Sequence, residues 1–389
     1  MDPADQMPMG GLTVAYRSHC SRQARVHPAP KGCWLVGWQG GAVSFREHVL
    51  IVGGGIAGLA LAAALDPRRV QVTLVEERPE RAGAGTVLAV WRDGREALDE
   101  IGVGERVRSA SSRVERSVLR SAGGSVLHDG QVPLWFAPRA DLIAALEAAL
   151  PESVTRLTQL VTDPRALASQ LGADLVVGAD GVRSEVRQRT WERSAPVITD
   201  WIALRGHLPG PPTSTATEWW GPDGLFGITP GPQGAAWFCA VRGGHRGMTI
   251  DHEEALILAR RQFADWDPLT RQTLAAVGEE ADAQRILLAP RLRTSVDAGV
   301  VLIGDAAHAM SPNLGRGANE ALGDSSVLAA MIHRHGTKGA PLAYNRRRHL
   351  RGQTLRTAAS VAMRTATARH SAPVRDRALS LFARVALSD

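Results

Sequence analysis

The chain has 389 residues, 44% hydrophobic and 22% charged, with 40 glycines and 22 prolines, which suits one large α/β unit or two domains and excludes a disordered acidic chain or a coiled coil. Its formal charge of +6 is carried almost wholly by arginine, Lys31 and Lys338 being the only lysines. No arginine run interleaves with aromatics, so nothing marks a nucleic-acid surface. The three cysteines, Cys20, Cys33 and Cys239, make neither a disulfide framework nor a four-cysteine metal site. No apolar run approaches the ~20 residues of a membrane span, and no apolar signal core opens the chain. The expectation is a protein of the reducing cytoplasm with no integral membrane segment.

Residues 1–46 mix Gly, Pro, His and Arg without either period and read as a disordered extension, or as an artefact of a gene start near Val43. His19, His27, Cys20 and Cys33 fit no zinc spacing, so no metal is expected. His48–Val52 is a buried strand that stops at three glycines. Gly53, Gly55 and Gly58 fit G-x-G-x-x-G: one for the tight turn, one for backbone approach to a pyrophosphate, one for close helix–strand packing. An Ala/Leu-rich helix follows from Ile56 to Leu65, and a second strand, Val70–Val75, ends at Glu76, whose carboxylate can accept both hydroxyls of an adenosine ribose. An acid there favours FAD or NAD over NADP, because it repels a 2′-phosphate. Ala57 and Glu77 complete the expected dinucleotide contacts.

Beyond this, Gly83–Gly85, a short strand to Trp91 and a helix over Arg95–Ile101 sit beside the dinucleotide, and Arg81 reaches either a phosphate or solvent. Ser117–Leu127 and Val132–Phe136 alternate like strands of a second sheet. Arg139 opens an amphipathic helix, Ala140–Leu150, as a candidate ligand contact. Ala173–Gly178 is a buried strand running into Ala179-Asp180-Gly181, where Asp180 is a helix cap or a ligand contact. Arg183 and Arg187 follow on one helix face. Val300–Ile303 is another buried strand, with Gly304-Asp305 at its carboxyl end, where open α/β sheets bind ligands. Pro312 and Gly315-Arg316-Gly317 then lead into a helix from Ala318 through Ala330, whose free N–H groups would stabilise an electron-rich carbonyl or an anionic ring.

These three stretches, in this order and spacing, resemble the single-component, group A FAD-dependent aromatic hydroxylases of the para-hydroxybenzoate hydroxylase fold, closest to the salicylate hydroxylase and zeaxanthin epoxidase-like members. The resemblance covers roughly residues 47–350. It implies an α/β fold: a Rossmann-like FAD-binding domain of residues 47–190 and 291–350, an antiparallel-sheet substrate domain of residues 191–290 joined by strands from about 110–136, and C-terminal helices over 351–389. It implies that Glu76 holds the FAD ribose, Arg139 contacts the cofactor, Asp180 serves both FAD and NAD(P)H, and Asp305 holds the ribityl chain. Pro312, Gly315, Arg316, Gly317, Ala318 and Asn319 then lie against the flavin pyrimidine. Arg316 stands where Gln or Ala is expected; it either points at the flavin, stabilising the reduced anion, or points to solvent.

The implied reaction is reduction of FAD by NAD(P)H, reaction with O2 to a C4a-hydroperoxide, and insertion of one oxygen into a hydrophobic, aromatic or polyketide-like small molecule. Epoxidation of an alkene, O2-independent reduction and non-catalytic flavin or ligand binding are the alternatives. Strands at Val197–Leu208, Thr217–Trp220, Gly224–Pro230 and Ala235–Val241, then helices at Glu253–Trp266 and Pro268–Val277, form the substrate half. Trp201, Trp219, Trp220, Phe226, Trp237 and Phe238 make either an apolar wall for a flat ligand or an ordinary sheet core. Tyr16 and Tyr344 lie outside this half, so a phenol-deprotonating base is sought among histidines: His207 at a strand end and His308 beside the Gly-Asp turn. With no second dinucleotide fold, NAD(P)H is expected to dock against Arg183 and Arg187. The lack of lysine between Gly32 and Thr337 argues against a flavin-dependent halogenase. The arginine-rich tail is read as helix packed on the FAD domain, with a dimer or membrane-surface contact as the alternative; monomer and homodimer both remain open.

Overall fold

The computed structural model describes residues 47–369, except 82–86, 212, 232–233, 245–246 and 279–280, together with residue 377. The expectations for residues 1–46, including the two cysteines and the early histidines, lie outside the described residues, as do Gly83–Gly85 and most of the tail beyond 369.

A six-stranded sheet runs in the order Val296–Asp297, Val300–Leu302, Leu175–Gly178, Glu47–Val52, Val70–Glu76, Thr155–Thr158. Its pairs are parallel except the first. Near-continuous Val/Leu/Ile runs demand cover on both faces. One face, with Val49, Ile51, Leu74 and Val177, packs under the helices Ile56–Ala64 and Arg139–Ala148. The other, with Leu50, Val52, Val176 and Leu302, packs on Val186 and Ala306. Leu175–Gly178 therefore sits beside the first strand and brings the Asp180 turn next to the glycine motif.

A seven-stranded sheet carries the second half, in the order Asp282–Leu288, Val197–Pro209, Gly234–Arg242, Gly224–Gly231, Thr215–Gly221, Arg116–Ser121, Val126–Gly130. It is antiparallel except where Thr215–Gly221 runs parallel to Arg116–Ser121, a parallel pair that the antiparallel expectation did not include. Leu134–Pro138 leaves this sheet and pairs instead with Val87–Val90 and Ser112–Val114.

The helix expected to stop at Ala330 continues. Gly336 (φ 67°) kinks it, and its second part reaches Ala366 without a break at residue 350. The Glu47 carboxylate caps the kink by accepting from Thr337 N at 2.8 Å. At its far end Met363 and Ala366 pack on Trp201, Trp220 and Leu225 of the seven-stranded sheet, so the helix ties the two sheets together.

Candidate functional site

Two of the motif's glycines sit as their spacing predicts, Gly53 in a tight turn and Gly58 in close packing. Gly53 adopts φ +109°, and a Cβ there would meet the Ala179 carbonyl carbon at 2.4 Å, so only glycine permits this approach of the two turns. A Cβ on Gly58 would sit 1.9 Å from the Gly53 oxygen, whereas one on Gly55 would meet nothing within 4 Å. Gly58 is thus a packing glycine, and Gly55, at the uncapped start of the Ile56–Ala64 helix, faces open space. Glu76 holds the motif from the side: Oε2 accepts from Gly54 N at 2.6 Å and Oε1 from Arg78 N at 2.8 Å. A groove of about 140 Å³ opens beside it, lined by Gly54, Glu76, Pro79, Arg156 and Thr158. Glu77 is exposed and lies 3.7 Å from Arg78.

The other two stretches converge on the same end of the sheet. Gly304 (φ +59°) is wedged between Ala57 and Ala321, whose Cβ atoms would lie 3.1 and 3.3 Å from an added Cβ. Asp305 is exposed, beside the start of the long helix at Gly317. The half-buried Arg139 is within electrostatic reach of both Asp305 and Arg205; burial pushes its pKa down, and Asp305 opposes this. Asp180 Oδ2 accepts from Val186 N at 3.0 Å, which is the cap reading, yet Oδ1 is buried without a partner and burial pushes the carboxyl up.

Gly315 (φ +60°) ends the Pro312–Leu314 turn, and no side chain caps the helix from Gly317. Asn319 is buried and committed: Oδ1 accepts from Trp91 N, and Nδ2 donates to the Ala89 and Gly315 carbonyls. It therefore clamps this loop to the Val87–Val90 strand and leaves its side chain no spare group. Arg316 follows neither expected course. Its guanidinium pairs with Asp93, lies 3.5 Å from Glu320, and sits 5.6 Å from the Trp91 ring centroid.

His308 is fully buried, which corrects its reading as a base at the substrate. Its Nε2 lies 2.7 Å from Asp324 Oδ2, and that oxygen also accepts from Gly304 N at 2.8 Å. Asp324 Oδ1 accepts from Arg348 at 2.6 Å; Arg348 reaches Glu320, Glu320 reaches Arg351, and Arg351 reaches Asp93. Burial opposes charge on both partners, but the pairing overrides it: His308 is raised above its usual value, and Asp324 is held down to about 2. The pairing with Asp324 favours the protonated imidazole, which is locked behind the Gly-Asp turn with Gly352 packed on its ring. His207 lies at the exposed margin of its strand, opposite Ala236.

Arg187 is likewise removed from NAD(P)H docking. It is fully buried, and donates to the carbonyls of Val182, Ser194 and Ala306. Arg183 remains exposed. The aromatic wall divides in two. Trp219, Phe226 and Trp237 are buried with Phe263 and Trp266 under the helices His252–Gln262 and Pro268–Ala276, so they are sheet core. Trp201, Trp220, Leu225 and Phe238 occupy the opposite face.

Three further residues stand out that were not among the expected site residues. Asn313, in the Pro312–Leu314 turn, buries both amide atoms without a partner, and Trp91 Nε1 is similarly orphaned beside Gly315. Glu218, on the opposite sheet face from Trp219, keeps some accessible surface, and burial pushes its carboxyl up to about 7 against the hydrogen bond from Trp220. The strand's alternation places Glu218 with Ala216 and Trp220, but what covers each face is a tertiary fact. Orphaned polar atoms at Asp180, Trp91 and Asn313, open space at Gly55 and two uncapped helix starts are what a large cofactor with phosphates and a polar ring requires.

The fold and this site define a flavin-dependent oxidoreductase. The chain belongs to the FAD binding domain family, whose model matches residues 149–359; an NAD(P)-binding Rossmann-like domain model matches residues 51–95. It is 27% identical over 322 residues to an aurachin C monooxygenase/isomerase of Stigmatella aurantiaca, covering 76% of this chain and 83% of that one. It is 28% identical over 328 residues to a 3-amino-4-hydroxybenzoate 2-monooxygenase of Streptomyces cremeus, covering 76% and 80%. Its fold matches a salicylate hydroxylase substrate complex with a TM-score of 0.72 at 24% identity, over 88% of this chain and 94% of that one. The chain is an FAD-dependent monooxygenase of the group A class, using NAD(P)H. No helix among the described residues is long and apolar enough to cross a membrane.

Proposed function

We propose that this enzyme hydroxylates a flat, hydrophobic aromatic small molecule held between the Ala216 end of the seven-stranded sheet, on the face away from its own two helices, and the Pro312–Asn319 loop. The observation that carries this reading is the asymmetry of that sheet. One face is filled by its own helices. On the other, Ala216 packs with Phe136 next to Ala89 and Trp91, the residues that flank Gly315. One relative is named for an aminohydroxybenzoate, an aromatic acid.

Glu76 would hold the adenosine ribose, and Gly55 with the helix start beside it the pyrophosphate. Arg139, Asp180 and Asp305 would hold the central part of FAD, and the Gly315–Ala318 backbone with Asn313 its ring edge. When bound, FAD supplies the redox chemistry, accepting hydride from NAD(P)H and activating O2. The chain's own residues orient the substrate, keep water out and fix charge near the ring; the His308–Asp324–Arg348 network fixes the Gly304-Asp305 turn through the Gly304 N–H. Reduction of the FAD-loaded protein by NADPH, followed at the flavin absorbance with aromatic and aliphatic ligands, tests the reading. Acceleration by the aromatic ligands is expected; acceleration by aliphatic ones alone would overturn it.

A further inference from the structure

Trp91 stands where the flavin loop meets the substrate half, and it is held from three sides. Its backbone N–H donates to Asn319 Oδ1 at 2.9 Å. Its side chain packs against the cluster of Val114, Phe136 and Ala216. The Arg316 guanidinium lies 5.6 Å from its ring centroid and is itself paired with Asp93. Backbone, ring edge and ring face are all engaged, so the indole has little freedom to turn.

The indole N–H is the exception, because Nε1 is buried without a hydrogen-bond partner. It borders the space that Gly315 leaves by having no side chain. A Cβ on Gly315 would lie 3.1 Å from the Ala89 Cβ and 3.7 Å from Trp91 Nε1, and no other atom of the described residues comes within 4 Å of that point. Buried donors in native proteins are nearly always paired. An indole N–H only donates, so its partner must be an acceptor, whereas the Asn313 carboxamide offers both a donor and an acceptor. The same loop leads into the helix from Gly317, whose start no side chain caps and whose dipole favours negative charge there. Arg316 adds little net charge to this corner, since it is paired with Asp93 and lies 3.5 Å from Glu320. The ring of Trp91 meets the substrate half; its N–H meets the flavin loop.

We propose that Trp91 Nε1–H donates to a carbonyl oxygen of the flavin pyrimidine, and that this uncharged donor, not the arginine beside it, favours the electron-rich reduced ring. This rests on the reading above, in which the Gly315–Ala318 backbone and Asn313 hold the ring edge. The carbonyl oxygens of the pyrimidine gain negative charge when the ring system is reduced, and a fixed donor binds the more negative acceptor more tightly. The donor therefore shifts the balance between the two forms by its differential affinity for them. No covalent bond is made or broken at Trp91.

The test follows the indole N–H signals of the 10 tryptophans in the full chain, labelled with nitrogen-15, as FAD is added to the FAD-free protein and then reduced anaerobically with dithionite. The Trp91 signal is assigned by its loss in FAD-free Trp91→Phe, or in Trp91→His should the first variant not fold. It should move downfield on loading and further on reduction. Trp91→Phe keeps a ring beneath Arg316 and removes only the donor. Once loaded, it should hold reduced FAD about tenfold less tightly relative to oxidised FAD, a fall of about 30 mV in the two-electron midpoint potential. A merely loosened pocket would weaken both forms alike and leave the potential where it is. Should Trp91→Phe fail to load, the response of the parent's assigned signal decides. A Trp91 signal that ignores FAD, or a relative affinity within about twofold of the parent, under about 10 mV, would overturn the role of Trp91 and leave the flavin reading standing. A signal that moves only when a panel of simple phenols is added would overturn it too, and would give the donor to the substrate. A parent protein that takes up no FAD would overturn the flavin reading itself.

Discussion

Replacing Asp324 by Asn should destabilise the protein without touching any surface that a ligand reaches. Asp324 is 0% exposed, and its two oxygens hold three donors: Gly304 N at 2.8 Å, His308 Nε2 at 2.7 Å and Arg348 Nε at 2.6 Å. Asparagine keeps the shape but removes the charge, leaving the buried Arg348 with Glu320 alone and His308 with only the charges of Asp305 and Glu320, neither of which it touches. Breaking one member of a buried ion network costs about 3–5 kcal/mol; here the lower end applies, because His308 can lose its proton and Arg348 keeps Glu320. For a protein of this size about 3 kcal/mol is roughly 4 °C in the unfolding midpoint. The pH dependence carries a definite sign. Asp324, depressed from 3.8 to about 2, contributes above its unfolded value, and that contribution is lost as pH falls through about 2. His308, raised above 6.5, contributes below its unfolded value, and that contribution is lost as pH rises through the raised one. The difference between parent and Asp324→Asn should therefore be largest between about pH 4 and 6.5 and shrink on both sides. Thermal unfolding of both proteins across this range is the assay. A variant that melts within about 1 °C of the parent at every pH would refute the network as a source of stability.

Gly58→Ala should abolish FAD loading and lower stability by about 1–3 kcal/mol, since its Cβ would fall 1.9 Å from the Gly53 oxygen; flavin per chain after purification reads this directly, and full occupancy would contradict it. Arg316→Gln should shift the flavin midpoint potential by less than about 20 mV, under about 1 kcal/mol for two electrons, because the guanidinium is spent on Asp93, Glu320 and Trp91; a larger fall would mean that it faces the ring. Glu218→Gln should be more stable than the parent at pH 8 by about 2–3 kcal/mol and equal to it at pH 4, because a carboxyl held up to about 7 against 4.5 unfolded costs stability as pH rises between those values. Equal gaps at both pH values in denaturant unfolding would refute the raised carboxyl.

Gly53 and Gly58 were legible because local backbone geometry demands them: Gly53 at a positive φ against the Ala179 turn, and Gly58 in close packing on Gly53. The boundaries of the four strands expected between Val197 and Val241 were legible to within about two residues, since alternation and Gly/Pro turns are local signals, whereas the strand Asp282–Leu288 was not expected. What lay hidden was pairing at a distance. His308 stands inside the Gly-Asp motif, but its partners Asp324 and Arg348 come from a later helix. Arg187 shares a helix face with nothing that marks it as buried; three carbonyls from separate segments decide its role. The aromatics alternate on both faces of their strands, so sequence alone could not tell Trp219 and Trp237, under the two helices, from Trp220 and Phe238 on the face that meets Met363 and Ala366. Glu218 escaped notice for the same reason.

The most direct test of the account is incorporation of label from oxygen-18 gas by the FAD-loaded protein, with NADPH and the phenol panel, read by mass spectrometry of the products. The account predicts a product carrying one labelled oxygen atom on the aromatic ring. Conversion of a ligand with no label, or with oxygen drawn from water, would contradict it.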